Sequence, residues 1–374
     1  ERTHVVLHRD DPGYFAGLLT MRDIDRVLTE SILPATDPDM VRSGEPVDKA
    51  DYALASGHVN AVRVAQHFAD GATVVLPQLH RRLPRLAAYC RALEAVFSCQ
   101  LQTNIYLTPD NAQGFRPHYD SHDVIVLQIE GTKTWRIYEG GPVLPLRTQG
   151  FTPEGFTCGK QIDEFVLGPG DTAYVPRGVV HDAIATDRVS LHVTTGLLVR
   201  RWVDVLIEAV AATALADPAL RAAVPAGYAG EGYDRGPARE AFARLLSRVA
   251  AIADADAVLD SLGQEFRDGR LPVAPGHFRM AAEVGAVGPE TEVGARPDLI
   301  ATIRTVTGEG TDGEILLDVH GSEIAFPAFV EESLRDALGR PRVRVADLAG
   351  DLDEAGKVVL VRRLIREGIV RVWG

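Results

Sequence analysis

Cysteine is scarce in this 374-residue chain, which has only Cys90, Cys99 and Cys158. No two of them form C-x-x-C, and an odd count argues against a disulfide framework. A reducing cytosol is the expected setting. Apolar runs are short, and none approaches the roughly 20 residues of a membrane-spanning helix. Nothing reads as a signal peptide. The chain starts at Glu1 rather than Met, so further N-terminal residues are expected to precede it. Repeats and low-complexity segments are also missing from the sequence. Positive charge is in deficit: 39 Lys+Arg face 52 Asp+Glu, a net charge of −13. Such a surface repels nucleic acid and suits a basic partner, although many cytosolic enzymes are equally acidic. Lysine is the rarer of the two cations, with Lys49, Lys133, Lys160 and Lys357 the only four among the 39 basic residues.

What remains is a chain with 46% hydrophobic residues, enough for a large core and long enough for two or three domains. Pro12-Gly13 marks a turn, and 21–33 has helical spacing of Ile24, Val27 and Leu28. Residues 58–70 fit either a strand or a short helix, and 72–76 is a short apolar strand. The broad apolar face of 84–99, with Pro84 in its first turn, predicts a helix. From Leu101 the period becomes two. Strands are predicted at 101–107, 123–131, 133–139, 162–167, 172–175, 181–186 and 189–195, with turn residues between them. This pattern indicates a barrel or sandwich of the jelly-roll group, a cupin-like double-stranded β-helix.

Helices follow at 202–215, 237–252 and 255–266, with a Gly-rich loop at 226–236. Residues 271–297 are dense in Gly and Pro and read as a linker or an irregular crossing. The remainder reads as strands at 299–305 and 314–319, helices at 327–338 and 352–368, and a strand at 369–373, an order that resembles a winged helix. Residues 296–374 carry 11 Lys+Arg against 14 Asp+Glu. A DNA reader should be basic, so a structural or protein-facing role is expected there, without sequence-specific DNA binding. The fold class is α+β, with domains at 1–199 (catalytic), 200–280 (helical) and 281–374 (winged-helix-like).

The stretch 104–139 carries the chemistry. It contains His118-Tyr119-Asp120, an H-x-D, and His181 follows 63 residues after His118 in Y-V-P-R-G-V-V-H. H-x-D alone is weak. With a distal histidine at the start of a later strand, it fits the facial triad that holds non-haem Fe(II) and leaves positions open for other ligands. His122 shares the parity of His118 and Asp120, and Asp123 adjoins it. Both are set aside because three ligands suffice. Lys133 shares a strand face with Trp135 and Ile137, the expected buried face. An ammonium there is costly unless it meets an anion, and a carboxylate of 2-oxoglutarate is the natural one. Snorkelling to water is the alternative. Asn104 and Tyr106 share one face of their strand, as do Ser190, His192 and Thr194 of theirs. These faces either line a cavity or simply meet solvent.

The motifs N-I-Y-L-T-P, Q-G-F-R-P-H-Y-D-S-H-D-V-I-V-L-Q-I-E-G-T-K-T-W-R-I-Y, L-G-P-G-D-T-A-Y-V-P-R-G-V-V-H and S-L-H-V-T closely resemble those of the JmjC-type ribosomal oxygenases. H-R-D-D-P-G-Y-F-A-G-L-L near the start extends the resemblance, and nearly the whole chain is covered. The resemblance implies Fe(II) at His118, Asp120 and His181, and 2-oxoglutarate held by Lys133 and Tyr106 as in the histidine-hydroxylase branch. The arginine-hydroxylase branch uses an arginine as that anchor. Asn104, His192 and Thr194 are the further pocket candidates. The spacing from His181 to His192 is about one residue shorter than the family's, which leaves the role of His192 open. The resemblance also implies homodimerisation through 202–266.

The reading is an Fe(II)- and 2-oxoglutarate-dependent oxygenase that uses O2 to hydroxylate a protein side chain, His or Arg, of a ribosomal protein in the cytoplasm. The alternatives are a hydroxylase of a peptide or small metabolite, and a metal-holding cupin regulator without turnover.

Overall fold

A computed structural model describes residues 3–306 and 313–373. The chain divides into two compact units, Glu1–Val199 and Arg200–Gly374. Among the described residues, no helix is long and apolar enough to cross a membrane.

The first unit is built on strands β1 (Val5–Leu7), β2 (Asp39–Arg42), β3 (Glu45–Pro46), β4 (Thr73–Pro77), β5 (Gln100–Thr108), β6 (Asp123–Glu130), β7 (Lys133–Tyr138), β8 (Gln161–Leu167), β9 (Thr172–Val175), β10 (Val180–Ala185) and β11 (Ser190–Leu198). They form an eight-stranded sheet in the order β1-β9-β6-β11-β5-β4-β2-β3 and a three-stranded sheet in the order β10-β7-β8. Every pairing in both sheets is antiparallel. Helices Met21–Thr29, Ala61–Ala69 and Pro84–Phe97 belong to this unit.

The pleat sorts the side chains of the large sheet. Ile105 and Leu107, Leu127 and Ile129, and Leu191 and Val193 form one core with Ile24, Tyr52 and Leu86 from helices and Leu19 from the segment before Met21–Thr29. Their neighbours in sequence point the other way. There Val126 and Ala173 pack with Trp135 and Leu167 of the small sheet. The space between the sheets is therefore lined by alternate residues of both. Lys133 is buried with Trp135 and Ile137, as the alternation predicts.

Several segments differ from the sequence reading. Residues 58–70, left between strand and helix, form the helix Ala61–Ala69, started by Asn60, whose side chain accepts the Arg63 N–H. The N-terminal strands β1, β2 and β3 were not expected. The segment 271–297 is not an irregular linker: it contains the helix His277–Ala282 and the strand Glu292–Ala295. Gly294 lies inside that strand because a Cβ there would sit 2.1 Å from the Pro341 carbonyl oxygen. The glycine permits close backbone approach rather than breaking the strand.

The second unit begins with helices Trp202–Ala216, Gly236–Ile252 and Ala255–Asp268. A meander of Ala301–Val306, Glu314–Val319 and Ser322–Pro327 follows. Helices Glu331–Gly339 and Glu354–Arg366 share a core with it, and Glu292–Ala295 pairs with Val343–Arg344 and Val370–Val372.

In the P-R-G turn, Gly178 has φ +84 and its N–H donates to Asp120 O at 2.9 Å. A Cβ there would lie 2.0 Å from the Pro142 carbonyl oxygen. Gly178→Ala is therefore expected to cost about 1–3 kcal/mol from the backbone conformation alone, read as a lower denaturant midpoint. An unchanged midpoint would mean that the turn relaxes freely.

Candidate metal centre

His118 lies on the loop between β5 and β6, and a short antiparallel bridge ties it to β10. Its N–H donates to His181 O at 3.0 Å, and the His181 N–H donates back to His118 O at 2.8 Å. Asp120 is two residues on, so its side chain falls beside that of His118. His118, Asp120 and His181 each bring one ligand atom to within 4.8 Å of the others. His181 Nε2 lies 3.8 Å from Asp120 Oδ2, and the two imidazole centroids are 4.6 Å apart.

Each imidazole is oriented by a backbone carbonyl. His118 Nδ1 donates to Arg116 O at 2.8 Å, and His181 Nδ1 donates to Val179 O at 3.0 Å. The proton is assigned to Nδ1 because only a donor suits a carbonyl. Nε2 is then left with a lone pair toward the shared centre, the arrangement that fixes metal-ligating histidines. Burial, with the nearby His118, pushes His181 down to about 4, against the opposing effect of Asp120. It is neutral at ordinary pH, as a ligand must be. Two imidazoles and one carboxylate fit Fe(II).

A cavity of about 710 Å³ holds this group and extends to Lys133. Lys133 is 4% exposed. Lys133 Nζ donates to Thr108 Oγ1 at 3.0 Å and lies 3.4 Å from His192 Nδ1. Burial alone pushes Lys133 down to about 7, and no described carboxylate pairs with it. His192 is held well below its usual value by burial and then by the Lys133 charge. It therefore presents a neutral ring. Tyr106, opposite His192 in the β5–β11 register, stacks on it with centroids 4.8 Å apart. Burial, reinforced by Asp120, raises the Tyr106 phenol. Trp135 lies between the two regions, 5.7 Å from the His181 ring and 5.8 Å from the His192 ring, and its buried Nε1 has no partner. An ammonium without an acid partner and an unpaired indole N–H fit an acceptor-rich anion such as 2-oxoglutarate.

Thr194 lines the same cavity, but Asn104 does not. The Asn104 amide oxygen instead accepts the Gln78 N–H at 3.4 Å. His122 is outside the group, with its ring against Gly196, where a Cβ would lie 2.5 Å from it. Asp123 is occupied by Arg177, whose backbone N–H and guanidinium lie 2.9 and 3.0 Å away. Two nearby guanidinium groups are engaged elsewhere: Arg116 pairs with Glu45 at 2.7 Å, and Arg136 faces Glu164 and Asp182. The sequence reading missed Thr108 and the aromatic wall of Phe115, Phe151 and Phe156. Thr108 ends the N-I-Y-L-T strand, so its place beside Tyr106 was a usable signal. Phe151 and Phe156 lie in a stretch with no periodicity.

Asp120→Ala and His181→Ala are expected to lose stoichiometric Fe(II) while keeping the far-UV circular dichroism of the parent. Metal analysis after anaerobic loading checks this. Full iron occupancy in Asp120→Ala would remove that residue from the centre.

Residues 77–205 match the JmjC domain family. The bifunctional lysine-specific demethylase and histidyl-hydroxylase NO66 of Drosophila melanogaster is 29% identical over 296 residues, covering 73% of this chain and 44% of that protein. Ribosomal oxygenase 2 of Bos taurus is 32% identical over 236 residues, covering 60% of this chain and 50% of that protein. The chain thus spans about half the length of these relatives or less. The Escherichia coli ribosomal oxygenase YcfD, solved with cobalt and 2-oxoglutarate, shares the fold at a TM-score of 0.51 and 15% identity, covering 100% of this chain and 95% of that one. Its complex with cobalt and succinic acid gives a TM-score of 0.52 at 15% identity, covering 99% and 95%. The resemblance read from the motifs is borne out by a family match and by relatives that carry the ribosomal oxygenase name: residues 77–205 carry a JmjC domain, and the chain is similar to the ribosomal oxygenases.

Proposed function

We propose that this chain is an Fe(II)- and 2-oxoglutarate-dependent oxygenase that hydroxylates a side chain, His or Arg, of a ribosomal protein in the cytoplasm. The observation that carries the reading is the sharing of one cavity by a two-histidine, one-carboxylate group and a buried lysine without an acid partner. Iron held by His118, Asp120 and His181 would supply the oxidising chemistry, with O2 as oxidant and 2-oxoglutarate as the co-substrate converted to succinate and CO2. The chain's own residues bind, orient and exclude water. Lys133, Thr108 and Tyr106 hold the far carboxylate of the co-substrate. The carbonyls of Arg116 and Val179 keep both imidazoles aimed. Phe115, Phe151 and Phe156 wall the cavity with apolar surface and limit solvent around the reacting carbon. Lysine and tyrosine at the anchor resemble the histidine-hydroxylase branch, which favours histidine as the modified residue.

Succinate formation that requires both iron and 2-oxoglutarate tests the activity, and its absence with every candidate ribosomal protein would refute it. Lys133→Ala should raise the 2-oxoglutarate requirement by the equivalent of about 3–5 kcal/mol, the usual loss when one partner of a buried charge pair is removed, while iron still binds. The sign of the pH effect follows from burial. Free Lys133 titrates at about 7, so above that pH the dicarboxylate must bind together with a proton, and its affinity should fall as pH rises. Unchanged affinity in Lys133→Ala would move the anchor elsewhere.

The second copy of the chain is the proposed partner of the helices in 202–266. Trp202 and Phe242 are 77% and 66% exposed, and Leu206, Val210 and Leu246 are exposed with them. Contiguous apolar stripes of this kind usually mark an interface. Light scattering should give about 80 kDa, twice the 40.4 kDa chain. A monomer mass at micromolar concentration would contradict it.

The module 281–374 is proposed as a winged-helix-like structural element and not a DNA reader. Arg340 pairs with Asp336, Arg342 with Glu292, and Arg344 with Glu290 and Asp347. Arg362 is committed to the Gly285 and Val287 carbonyls. These cations are already engaged and offer no free row for phosphates.

A further inference from the structure

Among the described residues of the second unit, Arg296 and Arg371 are paired with no acid, and they flank one turn. Arg296 follows the strand Glu292–Ala295 and is 5% exposed. Its N–H donates to Ile369 O at 2.9 Å, and its Nη1 donates to Pro275 O at 3.2 Å. Its Nε and Nη2 are enclosed without a hydrogen-bond partner. Arg371 stands opposite Gly294 on the paired strand, on the face to which residue 296 also belongs. Its guanidinium lies 4.0 Å from the Trp373 ring centroid, and its Nε is likewise enclosed and unpartnered.

Two histidines reach the same turn. His320, between Glu314–Val319 and Ser322–Pro327, interacts with the Gly368 backbone and has an enclosed, unpartnered Nε2. His277 approaches Gly368 closely enough that a Cβ there would lie 3.7 Å from its ring, and its Nδ1 is also enclosed and unpartnered. The groups feel one another. Burial and the Arg371 charge depress Arg296, while burial, Arg270 and Arg296 depress His320.

Enclosed water would satisfy the N–H groups but would carry no charge. Buried cations that repel one another call for a negative partner. This chain has acids in excess, and it places them on the neighbouring Arg342 and Arg344. Among the described residues none is placed on Arg296 or Arg371. Guanidinium forks match oxyanions by paired hydrogen bonds. The donors are enclosed, so the ligand must be small, and a nucleic-acid backbone would not reach them. We propose that Arg296, Arg371, His320 and His277 form a binding site for a small oxyanion of the phosphate class. The half-buried Arg371, His277 and His320 set its open side. This site is independent of the oxygenase reading.

The test is a thermal melt and a calorimetric titration of the full chain with inorganic phosphate, against chloride at equal ionic strength. Phosphate should raise the melting temperature saturably. Arg371→Gln should weaken phosphate at least tenfold, and Arg296→Gln should do so if it folds, whereas Arg363→Gln, outside the cluster, should leave it unchanged. No shift beyond the chloride control would overturn the site. A shift retained in Arg371→Gln would mean an adventitious ion only and would overturn it equally. A short oligoribonucleotide that binds through Arg371 while free phosphate does not compete would replace this proposal with a nucleic-acid surface.

Discussion

Two hydrogen bonds between the backbones of His118 and His181 set the geometry on which the site depends. They tie a loop to the edge of the small sheet, so that ligands 63 residues apart in sequence share one extended frame. Within that frame the pleat places Asp120 beside His118. The Gly178 N–H then fixes the Asp120 carbonyl from the other side. Ligands carried on paired, extended backbone are held more closely than ligands on a free loop. The Arg116 and Val179 carbonyls complete the frame by settling which ring nitrogen faces inward.

Electrostatics makes the rest of the cavity asymmetric. One end has a carboxylate with two imidazoles, and the other has an ammonium that burial weakens and no described acid relieves. His192 and Tyr106 stack between the strands as neutral groups and add no compensating charge. The chain therefore holds an amine at a fixed place beyond the metal ligands, charged below about pH 7, a preorganised arrangement suited to orienting a dianionic co-substrate. The same physics applies to the basic cluster around Gly368, in a different core.

Much of this was legible because alternation survives folding. Tyr106, Lys133, His192 and Thr194 were placed on their faces by period two alone, and their apolar neighbours Ile105, Trp135, Leu191 and Val193 are buried where that period puts them. His122 shows where the rule stops. The backbone bends at 121–122, so parity counted from Asp120 no longer carries across. Asn104 has the right parity, and its side chain bonds Tyr106 and accepts the Gln78 N–H from behind the cavity wall without lining the cavity itself. The strands β1 and β2 escaped notice because three or four residues carry too little pattern, and their pairing is decided by partners far along the chain. Phe151 and Phe156 lie in a loop, where position follows from packing and not from period. Gly294 misled for a related reason, since a glycine needed for close approach reads in sequence as a break.

The central claim is that the cavity directs oxidation onto a ribosomal-protein side chain. Mass spectrometry of ribosomal proteins incubated with the full chain, Fe(II), 2-oxoglutarate and O2 tests it most directly. The account predicts the gain of one oxygen atom on a single His or Arg side chain, absent when Asp120→Ala replaces the parent. Succinate produced at the full rate with no oxygen added to any ribosomal protein would contradict it.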